Sequence, residues 1–377
     1  MFETASSIMG LKKFLGILKD FDWILFGAAI LLICFGLAAI YSITISADEP
    51  NWANFQKQIL FALIGILFIF VISFFDYRLW RDFSYFLYLA VVVPLVLVLF
   101  FGITVSGTTG WFSIMGLNFQ PVELAKVVLI IFLAWFFSTR GSGIKQFKNF
   151  LISAAATGFY FFLVMLQPDF GSAMILIFIW VFMLFFSKVD KKHLITTGFV
   201  FILMGVAAWF LVFQPYQKDR ILSFFDPQAD PYGRGYHVRQ AITAVGAGQI
   251  FGRGLGFGSQ SQLKFIPASE TDFIFAVIAE ELGFLGVSLV LFFWGVIFYR
   301  LIRGAKLILA KDDFASFFIL GVSALFFVQI MINIGMNIGL VPVTGISLPF
   351  LSYGGSFLVI SLILIGMVES MIIRNKV

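Results

Sequence analysis

"DFIFAVIAEELGFLGVSLVLFFWGVIFYR" runs from Asp272 to Arg300. From Phe273 to Tyr299 it is almost wholly apolar, and Glu280 and Glu281 are its only charges. A helix over 273–299 is about 40 Å long at ~1.5 Å per residue. The hydrocarbon core of a bilayer is about 30 Å thick. The segment therefore spans a membrane with turns to spare, and Asp272 stands in the interface at one end. A basic run, Arg300, Arg303, Lys306 and Lys311, closes the other end.

The rest of the chain repeats that pattern. Of the 377 residues 61% are hydrophobic and 12% charged, about half the charged share of a soluble domain. We read ten spans: 23–46, 59–75, 83–105, 121–138, 149–166, 171–187, 194–213, 273–299, 314–335 and 355–373. This predicts an all-α polytopic membrane protein, a single domain over residues 1–377. Seventeen of the 25 Lys and Arg fall at the termini and in the even-numbered connections, which places both termini in the cytoplasm. The first apolar run is too long for a signal-peptide core and has no small-residue cleavage site. Cys34 is the one cysteine, so no internal disulfide forms.

The outer connections hold the chemistry. The longest, 214–271, carries Lys218, Arg220, Arg234, Arg239, Arg253 and Lys264 against four acids, with Asp272 as a fifth just beyond it. It is either a solvated loop or a surface for an anionic substrate, since Arg presents a planar fork matched to phosphate. "DRILSFFDP" and "GYHVRQAITAVGAGQI" within it read as short amphipathic helices. "GRGLGFGSQ" (252–260) is not a dinucleotide fingerprint, because no strand precedes it. No zinc spacing or nucleophile elbow is present, and the charge pattern does not suit nucleic acid.

Several polar groups lie in or beside the spans. Glu123 and Lys126 share a helix face and can pair; they form either a structural ion pair or the wall of an outward cavity. Asp169, after Pro168, either caps the next helix or faces the same cavity. Asp272 is either an N-cap or an accessible carboxylate. On a continuous helix Glu280 lies about 80° around and ~12 Å deeper than Asp272, so the two share a cavity. Glu281 faces the opposite way, toward a neighbouring helix. "MNIGLVPVTGISLPFLSYGGS" (336–356) holds Ser352 and is dense in Gly, Pro and Ser. Such backbone survives near a membrane only where it lines a cavity or is buried in protein. Asn333 and Asn337, four residues apart on the helix before it, face one way.

"QPVELAK", "QPDFGSA", "GYHVRQAITAVGAGQIFGRGLGFGSQSQLKFIPASETDFIFAVIAEELGFLG" and "GLVPVTGISLPFLSYGGS" together resemble the SEDS family (shape, elongation, division and sporulation) across nearly the whole chain. The wording is closest to its elongation branch. The resemblance implies a ten-helix peptidoglycan glycosyltransferase of the bacterial cytoplasmic membrane. It would polymerise lipid II into a lipid-linked glycan at the outer face, beside a class B penicillin-binding protein. It makes Asp272 the essential acid and the expected proton acceptor for an inverting displacement, and puts Glu123 and Lys126 in the cavity. Asp169, Arg220, Lys264, Glu280 and Ser352 complete the expected substrate surroundings, with a divalent cation, Mg or Mn, as a candidate helper for the diphosphate. One departure is "SGTTGWFSIMGLNFQ", where Gly110 precedes Trp111 and the Arg common in the family is missing. The rival readings are a lipid II flippase and a non-catalytic scaffold.

Overall fold

The structure is a computed structural model that describes residues 16, 19–45, 51–105, 107–114, 117–141, 146–187, 189–211, 218, 222, 224, 234–263 and 265–376. Its helices are α1 (Trp23–Ile45), α2 (Ala53–Phe74), α3 (Arg78–Asp82), α4 (Ser84–Phe101), α5 (Pro121–Arg140), α6 (Phe147–Met165), α7 (Phe170–Phe186), α8 (Lys191–Leu211), α9 (Arg234–Ala247), α10 (Ser259–Gln262), α11 (Ile274–Ile308), α12 (Asp313–Asn337) and α13 (Gly355–Asn375). Each of the ten predicted spans lies on one of these helices. Among the described residues, eight helices are long and apolar enough to cross a membrane, and α7 is a shorter apolar helix. The all-α class holds with one addition. The end of the predicted span 83–105 leaves the helix after Phe101 and becomes β1 (Ile103–Val105). It pairs antiparallel with β2 (Thr108–Ile114), which pairs with β3 (Leu117–Phe119). Of the two expected loop helices, "GYHVRQAITAVGAGQI" forms α9, and "DRILSFFDP" lies largely outside the described residues.

α5, α12 and α13 form the inner part of the bundle and are buried along most of their length. α2 lies along α13, and α12 is wrapped by α5, α7 and α11. α2, α4 and α11 keep apolar side chains such as Leu67, Phe100 and Phe292 exposed, as helices facing lipid do. At the cytoplasmic end three distant segments meet. The Asp22 side chain caps α1 by accepting from the Leu25 amide, its other oxygen lies 2.6 Å from an Arg300 nitrogen, and its backbone amide donates to Glu369. The start of α1 is thereby tied to α11 and α13.

α11 is not continuous. At Gly283 the backbone turns to φ 64, ψ −163, which leaves nearby amides and carbonyls without helical partners. The loop before α10 supplies them. The Phe284 and Leu285 amides donate to the carbonyls of Gln249 and Ile250, and the Arg253 and Gly254 amides donate to those of Glu280 and Glu281. Backbone at membrane depth is stable only when satisfied in this way. Two glycines permit the approach. A Cβ at Gly252 would sit within 2.1 Å of the Glu281 carbonyl oxygen, and one at Gly283 within 2.2 Å of the Gly252 amide nitrogen.

Candidate active site at the outer end of the bundle

Asp272 lies in the turn just before α11, half-buried. Its amide and that of Phe273 both donate to the Ala268 carbonyl, closing the turn. Its own carbonyl accepts from Asn333 and from Asn337, each at 3.0 Å. Asn333 also donates to the Ile346 carbonyl. The Asn337 side-chain oxygen accepts from the Ala276 amide in the first turn of α11, which also donates to the Phe273 carbonyl. The two asparagines that share a face in the sequence thus fix the segment bearing Asp272.

The 338–354 loop completes the clamp. The Ser352 hydroxyl donates to the Thr271 carbonyl at 2.6 Å and accepts from the Leu348 amide. The Tyr353 amide donates to the Glu270 carbonyl, and Asn54 on α2 donates to the Glu270 carboxylate at 2.7 Å. Gln58, one turn further along α2, donates to the Ser352 carbonyl and accepts from Gly354. Burial, with the nearby Glu270 charge, raises the Tyr353 phenol above its ordinary value, so it stays protonated at neutral pH. The Asp272 carboxylate itself lies beside Gly345, where an added Cβ would stand 3.6 Å from its Oδ2.

Glu123 occupies the first turn of α5, after Pro121 at the start of the helix, where the N-terminal dipole favours an acid. It pairs with Lys126 at 2.7 Å, and both are buried. Gln120, just before them, donates to Asp169. The other Asp169 oxygen accepts from the Ser172 amide and caps α7. Asp169 therefore caps a helix and also ties α5 to α7. The next residue but one, Gly171, packs against Thr344 and Ile346, on either side of the glycine that touches Asp272. The 344–346 strip thus joins the starts of α5 and α7 to the Asp272 turn.

Glu280 does not join this set. Its carboxylate accepts from the Gln260 and Ser261 amides at 2.8 and 2.9 Å, and the residue has no exposed surface. The shared-cavity expectation assumed an unbroken helix from Asp272, whereas Asp272 sits in a turn ahead of it. Glu281 does reach a neighbouring helix, accepting from Ser42 on α1 at 2.7 Å and from Gln262. Ser352, expected to face substrate, is buried and acts on the backbone beside Asp272. Arg220 and Lys264 lie outside the described residues. Sequence reading passed over Asn54 and Gln58, though their spacing of four at the head of an apolar helix is the same signal that marked Asn333 and Asn337. Gln120 gave no such pattern. Among the described residues no group of three or more His, Cys, Asp or Glu converges to hold a metal.

A bundle of apolar helices with one half-buried carboxylate clamped at its outer end, and a buried ion pair nearby, is a polytopic membrane protein with an extracytoplasmic polar site. The chain belongs to the FtsW, RodA and SpoVE family, whose model, described as cell cycle protein, matches residues 22–376. This bears out the SEDS resemblance and places the chain in the bacterial cytoplasmic membrane. Stage V sporulation protein E of Bacillus subtilis (strain 168) is 37% identical over 92% of this chain and 95% of its own length. A probable peptidoglycan glycosyltransferase FtsW of Geobacter sp. (strain M18) is 35% identical over 95% of this chain and 98% of its own. Among solved structures, RodA of Thermus thermophilus matches with a TM-score of 0.70 and 27% identity, over 94% of this chain and 97% of that one. A chain of a peptidoglycan synthase complex, solved for its structural coordination of polymerization and crosslinking, gives a TM-score of 0.80 and 29% identity, covering 94% and 98%.

Proposed function

We propose that the chain is a peptidoglycan glycosyltransferase that polymerises lipid II at the outer face of the membrane. The observation that carries this reading is the half-buried carboxylate of Asp272, held at the outer end of α11 by donors and acceptors from α2, α12 and the 338–354 loop. A carboxylate there can take the proton of an acceptor sugar hydroxyl. The hydroxyl oxygen bonds to the donor's anomeric carbon from one side while the carbon–diphosphate bond breaks on the other, inverting that centre. The proton ends on Asp272 and the electron pair of the broken bond on the departing diphosphate. The Glu123–Lys126 pair sets the field on the α5 side, and the outer-loop bases Arg220 and Lys264 are proposed to meet the diphosphate. Both lipid tails stay in the bilayer while the sugars react above it.

The similarity to a chain of a peptidoglycan synthase complex supports a crosslinking partner of the class B penicillin-binding type. The family branch has two readings. The solved RodA neighbour supports an elongation role, whereas the higher identities to SpoVE and FtsW favour a division or sporulation role. Complementation of conditional elongation and division mutants separates them by which defect the chain repairs. Purified protein incubated with lipid II tests the activity itself. Glycan polymer from the unaltered chain and none from a folded Asp272→Asn variant is the expected result. Transport across vesicles without polymer would mark a flippase, and neither activity a scaffold.

A further inference from the structure

Part of the outer loop faces outward with unusual side chains. Ile250, Phe251, Leu255 and Phe257 are exposed, with Phe251 and Phe257 at 79% and 78%. Water is a poor solvent for such a patch, and a contiguous apolar surface marks a contact with protein or membrane. Its height within the bundle decides between them.

Two helices measure that height. At the cytoplasmic end Asp22 pairs with Arg300, and at the outer end Ser42 bonds Glu281. Ser42 stands twenty residues beyond Asp22 along α1, and Glu281 nineteen residues before Arg300 along α11. At ~1.5 Å per residue α1 gives about 30 Å, the thickness of the hydrocarbon core, and α11 from Phe284, just past its break, to Arg300 covers about 24 Å of the same rise. The loop is bonded at that level. The Gly256 amide donates to Ser42, and the 249–254 backbone fills the break in α11 at Gly283. Ile250 and Phe251 therefore stand level with Phe284 and Leu285, whose exposed side chains belong to the apolar outer face of α11. Arg253, exposed between the two pairs of apolar side chains, is placed for the headgroup layer, where a cation with an apolar stem is favoured.

We infer that the 250–257 loop is a membrane-seated anchor, with Ile250, Phe251, Leu255 and Phe257 among the outer-leaflet acyl chains near the headgroup boundary. The partner is lipid hydrocarbon, continuous with the lipid surface of α11. Because the loop is bonded through the backbone to both sides of the Gly283 break, its seat in the leaflet fixes the height of the α11 start, and of Asp272, above the membrane.

The test uses the full chain in phospholipid vesicles, with Cys34→Ala removing the one native thiol. A nitroxide is attached to Phe251→Cys or Phe257→Cys, with Leu285→Cys as lipid reference and Lys306→Cys as aqueous reference. Collision rates are read with molecular oxygen, which concentrates in lipid, and with a water-soluble nickel chelate. The expected result is an oxygen-to-nickel ratio at 251 and 257 that matches Leu285→Cys and exceeds Lys306→Cys. A ratio matching Lys306→Cys would put the patch in water, and low access to both reagents would put it under protein, such as a second copy. Either result overturns the inference. Should one variant fail to reconstitute, Ile250→Cys or Leu255→Cys reads the same surface.

Discussion

The Asp272 carbonyl has two donors, and removing them one at a time or together gives different outcomes. Asn333 and Asn337 each donate to it at 3.0 Å. In either single alanine variant the carbonyl keeps one partner, and the cost comes from the other bonds lost. For Asn337→Ala those are the second acceptor of the Ala276 amide, which keeps the Phe273 carbonyl, and the bond to the Asn333 carbonyl, together about 1 kcal/mol. For Asn333→Ala it is the bond to Ile346. The double variant loses both donors and orphans the carbonyl as well, at a further ~1–3 kcal/mol beyond the sum. The Asp272 turn then relaxes away from α12, and a shift of about 1 Å is worth roughly a hundredfold in rate. Turnover of lipid II by the purified variants, read as polymer on gels, is the assay. Each single variant is expected to slow turnover about tenfold, as 1.4 kcal/mol does. The double variant should be slower than the product of the singles. KM should hold while kcat falls, because neither asparagine is placed to touch substrate. A double variant whose rate equals the product of the singles would refute the shared clamp.

Glu123→Ala and Lys126→Ala each leave a buried charge alone, at about 3–5 kcal/mol. The double change should cost less than the sum in thermal-stability and activity assays, and strict additivity would show that the two act separately. Gly252→Ala and Gly283→Ala place a Cβ within about 2 Å of backbone atoms at positive φ. Both should lose several kcal/mol of stability, read as loss of folded protein on size exclusion; normal yields would contradict the interlocked backbone. Ser352→Ala removes the acceptor for Leu348 and the donor to Thr271, and a loss of about 1–3 kcal/mol is expected by thermal unfolding in detergent. An unchanged midpoint would show that those contacts contribute nothing.

The spans were legible because apolar length is a property of the chain itself. Asn333 and Asn337 were legible in part, since a spacing of four fixes a shared face but not its target. The hairpin was missed because Ile103 and Val105 extend an apolar run, and only their pairing with Thr108–Trp111 shows that the helix has ended. The role of "GAGQIFGRG" was hidden for a related reason. Its amides and carbonyls answer a break some thirty residues away, and no local period records such an exchange. Glu280 misled because helix geometry was extended through Asp272 and because a buried carboxylate can be a cap as readily as a reactant. Of the three acids in the stretch that opens α11, one faces the proposed chemistry, one caps α10 and one holds α1.

The tie between Asp22, Arg300 and Glu369 bears on how the chain is made. Asp22 emerges from the ribosome early, yet Arg300 and Glu369 follow by most of the chain's length. At about 5–20 residues per second, roughly 20–70 s of synthesis separate the two ends of that tie. Through that interval α1 sits in the membrane with its first acid unmatched, and α2 lacks α13, the helix along which it lies. Completion of the fold is therefore a final act of translation, and a chain cut short before its last helix is left with an open seam for membrane proteases to find.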